Sequence, residues 1–111
     1  MAEISKQATQ RMYDTFDRIL AKLEKGFPEL VGTRMDLIDV SVNIGFGDRK
    51  SIAIYEKTSK EDLEPLILHE LAHVLEFIRH GEYSGHGQIF DECLNSLTST
   101  FQCEERSEEG S

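Results

Sequence analysis

With 111 residues, 39% of them hydrophobic and 30% charged, the chain has the length and mixture of one globular domain, too short for two separate cores. A net charge of −9 and a pI near 4.8 disfavour nonspecific binding of the whole surface to nucleic acid or anionic lipid. DNA association is therefore expected only indirectly or through a local patch. The charge is uneven: Glu104-Glu105-Arg106-Ser107-Glu108-Glu109 is acidic enough to predict a disordered tail over residues 104–111, behind a domain spanning 1–103.

In chain order, Ile4, Ala8, Met12, Phe16, Ile19 and Leu23 recur at helical spacing and predict an amphipathic helix that Gly26-Phe27-Pro28 ends. Ile38, Val40, Val42, Ile44 and Phe46 alternate with polar or small residues, and Ser51–Glu56 reads as a second short strand. With Gly47-Asp48-Arg49-Lys50 as a turn, the two predict a β-hairpin. Thr58 and Glu61 could form a capping box for a third element, a helix starting near Glu61 or Asp62, with Pro65 in its first turn, and running to about Arg79. Gly81, Gly85 and Gly87 punctuate a loop, and Phe90, Leu94, Leu97 and Phe101 form the apolar stripe of a last helix. The class is α+β. Cys93 and Cys103 fall in that last helix, too far apart along its axis to bridge, and read as reduced thiols. No signal peptide and no membrane-length apolar run is evident, so a soluble, cytoplasmic protein is expected.

The informative segment is His69-Glu70-Leu71-Ala72-His73, an H-E-x-x-H on the third element. Residues four apart on an α-helix lie nearly above one another, so two imidazoles can converge on one ion. Glu70 sits about 100° further round the axis, flanking that ion as a general base without having to ligate it. Ile67, Leu68, Leu71, Val74, Leu75 and Ile78 occupy the opposite side and would bury the helix. Leu66 and Phe77 lie on the cleft side, where they could line substrate pockets or simply pack. Chance alone would produce this motif in roughly one chain of this length in several hundred; its helical setting strengthens it.

A catalytic zinc takes a third protein ligand and keeps one position open. The metzincin spacing is excluded, because Glu76 stands at its glycine position and Arg79 at its last histidine position. His80 lies about two turns beyond His73, too far to share the ion. Glu92 is a candidate of the thermolysin-like type. His86, in His86-Gly87-Gln88-Ile89-Phe90, is the better one, since it opens the last helix on the inward-facing stripe and Gly87 permits close backbone approach.

H-E-L-A-H followed by H-G-x-x-F, after a helix and a β-hairpin, resembles the SprT-like zinc metallopeptidases, which include the Spartan-type proteases of DNA–protein crosslinks. The likeness covers about residues 4–102, and only the two motifs are specific. It implies a small zincin-like domain with one catalytic Zn2+ held by His69, His73 and His86, Glu70 as catalyst, and a protein substrate. The chain departs from many relatives in lacking the four-cysteine zinc ribbon and any basic or ubiquitin-binding extension, which puts autonomous DNA binding in doubt. The expected reaction is peptide-bond hydrolysis by Glu70-assisted attack of zinc-bound water, with Tyr83 or His80 as candidate oxyanion donors. Two rival readings are a non-catalytic zinc-binding interaction domain and an ImmA/IrrE-type regulatory peptidase.

Overall fold

A computed structural model of the chain describes residues 6–38, 51–81 and 87–109. Within them, helix α1 (Lys6–Glu24) leads through a short 3-10 turn (Pro28–Leu30) into strand β1 (Arg34–Ile38); strand β2 (Ser51–Tyr55), helix α2 (Lys60–His80) and helix α3 (Gln88–Glu109) follow. The α+β class holds. Met12, Phe16, Ile19, Leu20 and Leu23 form the buried side of α1, close to the predicted stripe, and Ile4 lies outside the described residues.

The turn and most of the first strand of the predicted β-hairpin lie outside the described residues. β1 pairs with β2 in parallel, with Met35 opposite Ile52 and Leu37 opposite Ile54. Alternation along a strand reports which face is buried but carries no information about the direction of its partner. Met35, Ile52 and Ile54 are buried, so the register brings the apolar positions of both strands to one face, and β2 packs against α2. A parallel pair cannot be joined by a two-residue hairpin turn, which needs antiparallel strands; residues 39–50, between β1 and β2, lie outside the described part.

The start of α2 is also displaced from its prediction. Ser59 is the N-cap: its Oγ accepts from the Asp62 amide at 3.3 Å and donates to the Asp62 carboxylate at 2.8 Å. The cap is therefore one residue beyond Thr58, whose hydroxyl instead donates to the Tyr55 carbonyl at 2.6 Å. Because α2 begins at Lys60, Pro65 lies past the first turn. Glu61 and Pro65 are both on the exposed face, so the carbonyl that the proline cannot engage faces water. At the other end Gly81 adopts φ +79° and its amide donates to the Phe77 carbonyl, a left-handed stop that a residue with a β-carbon would adopt only under strain.

The predicted disordered tail is a further correction, because α3 continues through Glu104 and Glu105 to Glu109. The acidic residues there meet cations on α1. Glu105 accepts from Lys22 and, through both oxygens at 2.8 Å, from Arg18, while Glu104 lies 3.4 Å from Lys25. Arg18 also bonds Glu64 on α2 and lies 5.7 Å from the Phe101 ring centre, so one side chain ties α1, α2 and α3 together. Lys22 is only 5% exposed, a buried cation that periodicity alone did not single out.

Candidate functional site

Helix α2 buries Leu63, Ile67, Leu68, Leu71, Ala72, Val74 and Leu75 and keeps His69, Glu70 and His73 half-buried on the other side. This is the amphipathic arrangement expected from the sequence, with the motif on a half-buried side that packs against α3. The His69 and His73 ring centres are 5.0 Å apart, with planes at 81°. Two imidazoles bound to one tetrahedral zinc through nitrogens about 2.0–2.1 Å away have ring centres roughly 5 Å apart. The spacing of the pair therefore fits a shared ion, and neutral imidazole is a donor that zinc accepts readily.

Phe90 ties α3 to this pair. It is 2% exposed, stacks on His73 with ring centres 4.3 Å apart and planes at 30°, and meets the His69 ring edge-on at 4.9 Å. One aromatic ring thus forms a common wall for both imidazoles, and its contacts restrict their rotation. The sequence placed Phe90 in the apolar stripe of the last helix and in the H-G-x-x-F motif; that it packs on the histidine pair emerges from the docking of α2 on α3.

Burial pushes the Glu70 carboxyl above its ordinary range, because partial removal from water penalises the charged form. A carboxylate so placed is a stronger base than one in free solution. It adjoins His69 in the chain.

Among the described residues no group of three His, Cys, Asp or Glu converges to hold a metal ion. His69 and His73 are brought together; His86 and Tyr83 lie outside the described residues. Glu92 does not join the pair. It is exposed on α3, where Gln88 Nε2 donates to its carboxylate at 3.3 Å. His80 is the exposed last residue of α2, seven positions or roughly 10 Å of helix beyond His73. Phe77 and Leu66 are half-buried, and Leu66 packs against the core. Glu76, by contrast, is 1% exposed. Its signal was present in the sequence: seven residues after His69, two helical turns, returns it to the stripe of the imidazoles.

Next to Glu76's turn, Arg79 donates to Glu29 at 2.6 Å and lies 5.5 Å from the Phe27 ring centre, clamping the end of α2 to the 3-10 turn. The Arg79 guanidinium holds the Glu29 carboxyl below its usual range. Cys93 is buried on α3 and Cys103 exposed, both as free thiols, and burial raises the Cys93 thiol pKa. No described helix is long and apolar enough to cross a membrane.

A sequence model of the SprT-like family matches residues 49–109, more than half of the chain and all of β2, α2 and α3. No curated protein and no solved structure matches it. The matched segment contains the histidine pair, Glu70 and the Phe90 wall, and on that extent the chain belongs to the SprT-like family.

Proposed function

We propose that the chain is a zinc-dependent endopeptidase of zincin-like architecture, acting on protein substrates. The observation that carries this reading is the imidazole pair of α2, 5.0 Å between ring centres, with a half-buried carboxylate beside it in a chain of the SprT-like family. His69, His73 and His86 would hold the metal, His86 being assigned from its place in the H-G-x-x-F motif. Bound zinc supplies Lewis acidity, polarising the scissile carbonyl and acidifying water. Glu70 takes the proton from the attacking water and delivers it to the leaving amine. Phe90 keeps the two imidazoles in register by contact on their faces and edges. Tyr83 is the candidate for donating a hydrogen bond to the developing oxyanion; His80, at the far end of α2, is the weaker one.

A non-catalytic zinc domain would leave Glu70 without a role, and structural zinc sites are usually closed by four ligands rich in cysteine. Membership of the SprT-like family removes the motive for an ImmA/IrrE-type assignment. With a net charge of −9, DNA enters this proposal as a platform that carries substrate, not as a ligand of the whole surface. Free Cys93 and Cys103 suit a reducing, cytoplasmic setting.

The test is metal analysis together with proteolysis of an unstructured protein, with and without DNA. We expect about one zinc per chain, cleavage by the wild type, and retention of zinc without cleavage in Glu70→Gln. His86→Ala should lose zinc. Undiminished cleavage by Glu70→Gln would remove the carboxylate from the mechanism, and unchanged zinc in His86→Ala would move the third ligand elsewhere.

A further inference from the structure

Between α2 and α3 lies a cavity of about 500 Å3 that the proposed reaction does not yet use. Pro65 and Leu68 of α2 and Leu94, Thr98 and Phe101 of α3 line it, and its wall includes His69. The two helices run antiparallel here. Phe90 near the start of α3 meets His73 and His69, while Phe101, further on, faces the part of α2 around Glu64 and Pro65. The cavity therefore extends from the histidine pair toward the start of α2.

We infer that this cavity is the subsite for one bulky apolar side chain of the substrate, from a residue next to the scissile bond. The inference rests on the endopeptidase reading and adds a substrate preference to it. Continuity with His69 decides the occupant. A peptide whose scissile carbonyl lies at the histidine pair advances only about 3.3 Å per residue, so a side chain adjacent to the cut bond is what can enter. The size, within the range of sites that enclose small ligands, accommodates an aromatic ring or a branched aliphatic chain. The lining sets the chemistry. Its carbon surface comes from Pro65, Leu68, Leu94 and Phe101, and no Lys or Arg is among the described lining residues to receive an acidic side chain. Glu64 borders the far end with its carboxylate already bonded to Arg18. Small side chains would leave the cavity to water and lose the apolar contact; acidic ones would meet the Glu64 carboxylate, and the nearby Arg18 is already engaged by Glu64 and Glu105. Discrimination by an apolar pocket of this kind is typically on the order of 10–200-fold between large and small side chains.

The experiment uses the zinc-loaded full chain and a peptide library in which mass spectrometry reads the residues flanking each cut. The wild type should enrich Phe, Leu or Met on one side of the bond by about tenfold over Gly and Asp. Thr98→Phe, which fills the cavity from a half-buried position, should reduce that enrichment to about threefold or less. Asn95→Trp, at an exposed position on the rim, should do the same without a buried substitution to threaten folding. As a readout independent of turnover, Glu70→Gln should bind a Phe-containing peptide about tenfold more tightly than its Gly counterpart, and addition of either cavity-filling change should erase the difference. Enrichment that is unchanged in both folded variants, or a wild type that selects small or acidic residues, would overturn the subsite while leaving the peptidase standing. A wild type that cleaves nothing in the library, together with a Glu70→Gln variant that prefers neither peptide, would overturn the peptidase reading and the subsite together.

Discussion

Neutralising Glu105 should destabilise the protein more than removing the buried lysine that it serves. Lys22 is 5% exposed and its Nζ donates to a Glu105 oxygen, while Arg18 donates to both oxygens at 2.8 Å from a more exposed position. In Glu105→Gln the ammonium stays where it is and loses a full opposing charge. Breaking a deeply buried pair costs about 3–5 kcal/mol and breaking an exposed one about 0–1. With 29% of the Glu105 side chain still exposed, the present case falls between, at about 2 kcal/mol. Lys22→Met removes the charge together with its need for a partner and keeps the aliphatic stem packed, so it should cost less than about 1 kcal/mol. The double variant should recover most of the Glu105→Gln loss, a non-additivity expected for groups in contact. Urea titrations followed by circular dichroism at fixed zinc concentration would measure all three, with the slope checked for constancy. The pH dependence adds a second signature. The hydrogen bond from Lys22, with Arg18 in support, holds the Glu105 carboxyl below its ordinary value of 4.5. A carboxyl depressed in the folded state contributes its stabilisation above that ordinary value and loses it as the pH falls through the folded one. The wild type should therefore lose stability more steeply than Glu105→Gln below about pH 4.5. If Glu105→Gln proves no more costly than Lys22→Met, the buried ammonium does not depend on this carboxylate and the account of the α1–α3 brace is wrong.

Phe90→Leu keeps an apolar side chain behind the imidazoles but removes the flat surface that stacks on His73; it should cost about 1–2 kcal/mol in stability and weaken zinc roughly tenfold, measured by competition with a chelator. Equal zinc affinity in a destabilised variant would show that the ring packs without orienting the ligands. Ser59→Ala removes the acceptor for the Asp62 amide and should cost about 1 kcal/mol in a denaturant titration, whereas Thr58→Ala should leave the α2 cap intact. Gly81→Ala places a β-carbon at φ +79° and should lower stability by about 1–2 kcal/mol through backbone strain alone, since its β-carbon would meet nothing within 4 Å.

Much of the candidate site was legible in the residues because its geometry is local. Four positions along an α-helix bring His69 and His73 together regardless of what surrounds them, and the apolar side of the same helix leaves little choice about which face is buried. The stripe of α3 was legible for the same reason. Strand direction was not, because period-two alternation at Met35–Leu37 and Ile52–Ile54 is equally consistent with a parallel or an antiparallel neighbour. Nor was the order at the end of the chain. Glu104 and Glu105 look like solvated tail residues until α1 places Lys22, Arg18 and Lys25 opposite them.

The boundary between the two kinds of information follows the range of the interaction. Spacing within single helices and strands determined the histidine pair, the carboxylate beside it, the amphipathic faces and the α+β class. Tertiary packing alone decided that Phe90 lies against both imidazoles, that a cavity opens between α2 and α3 beside His69, and that a lysine is buried against a glutamate far along the chain. Each of those contacts joins residues that no helical or strand period relates, so only the docking of one element on another can bring them together.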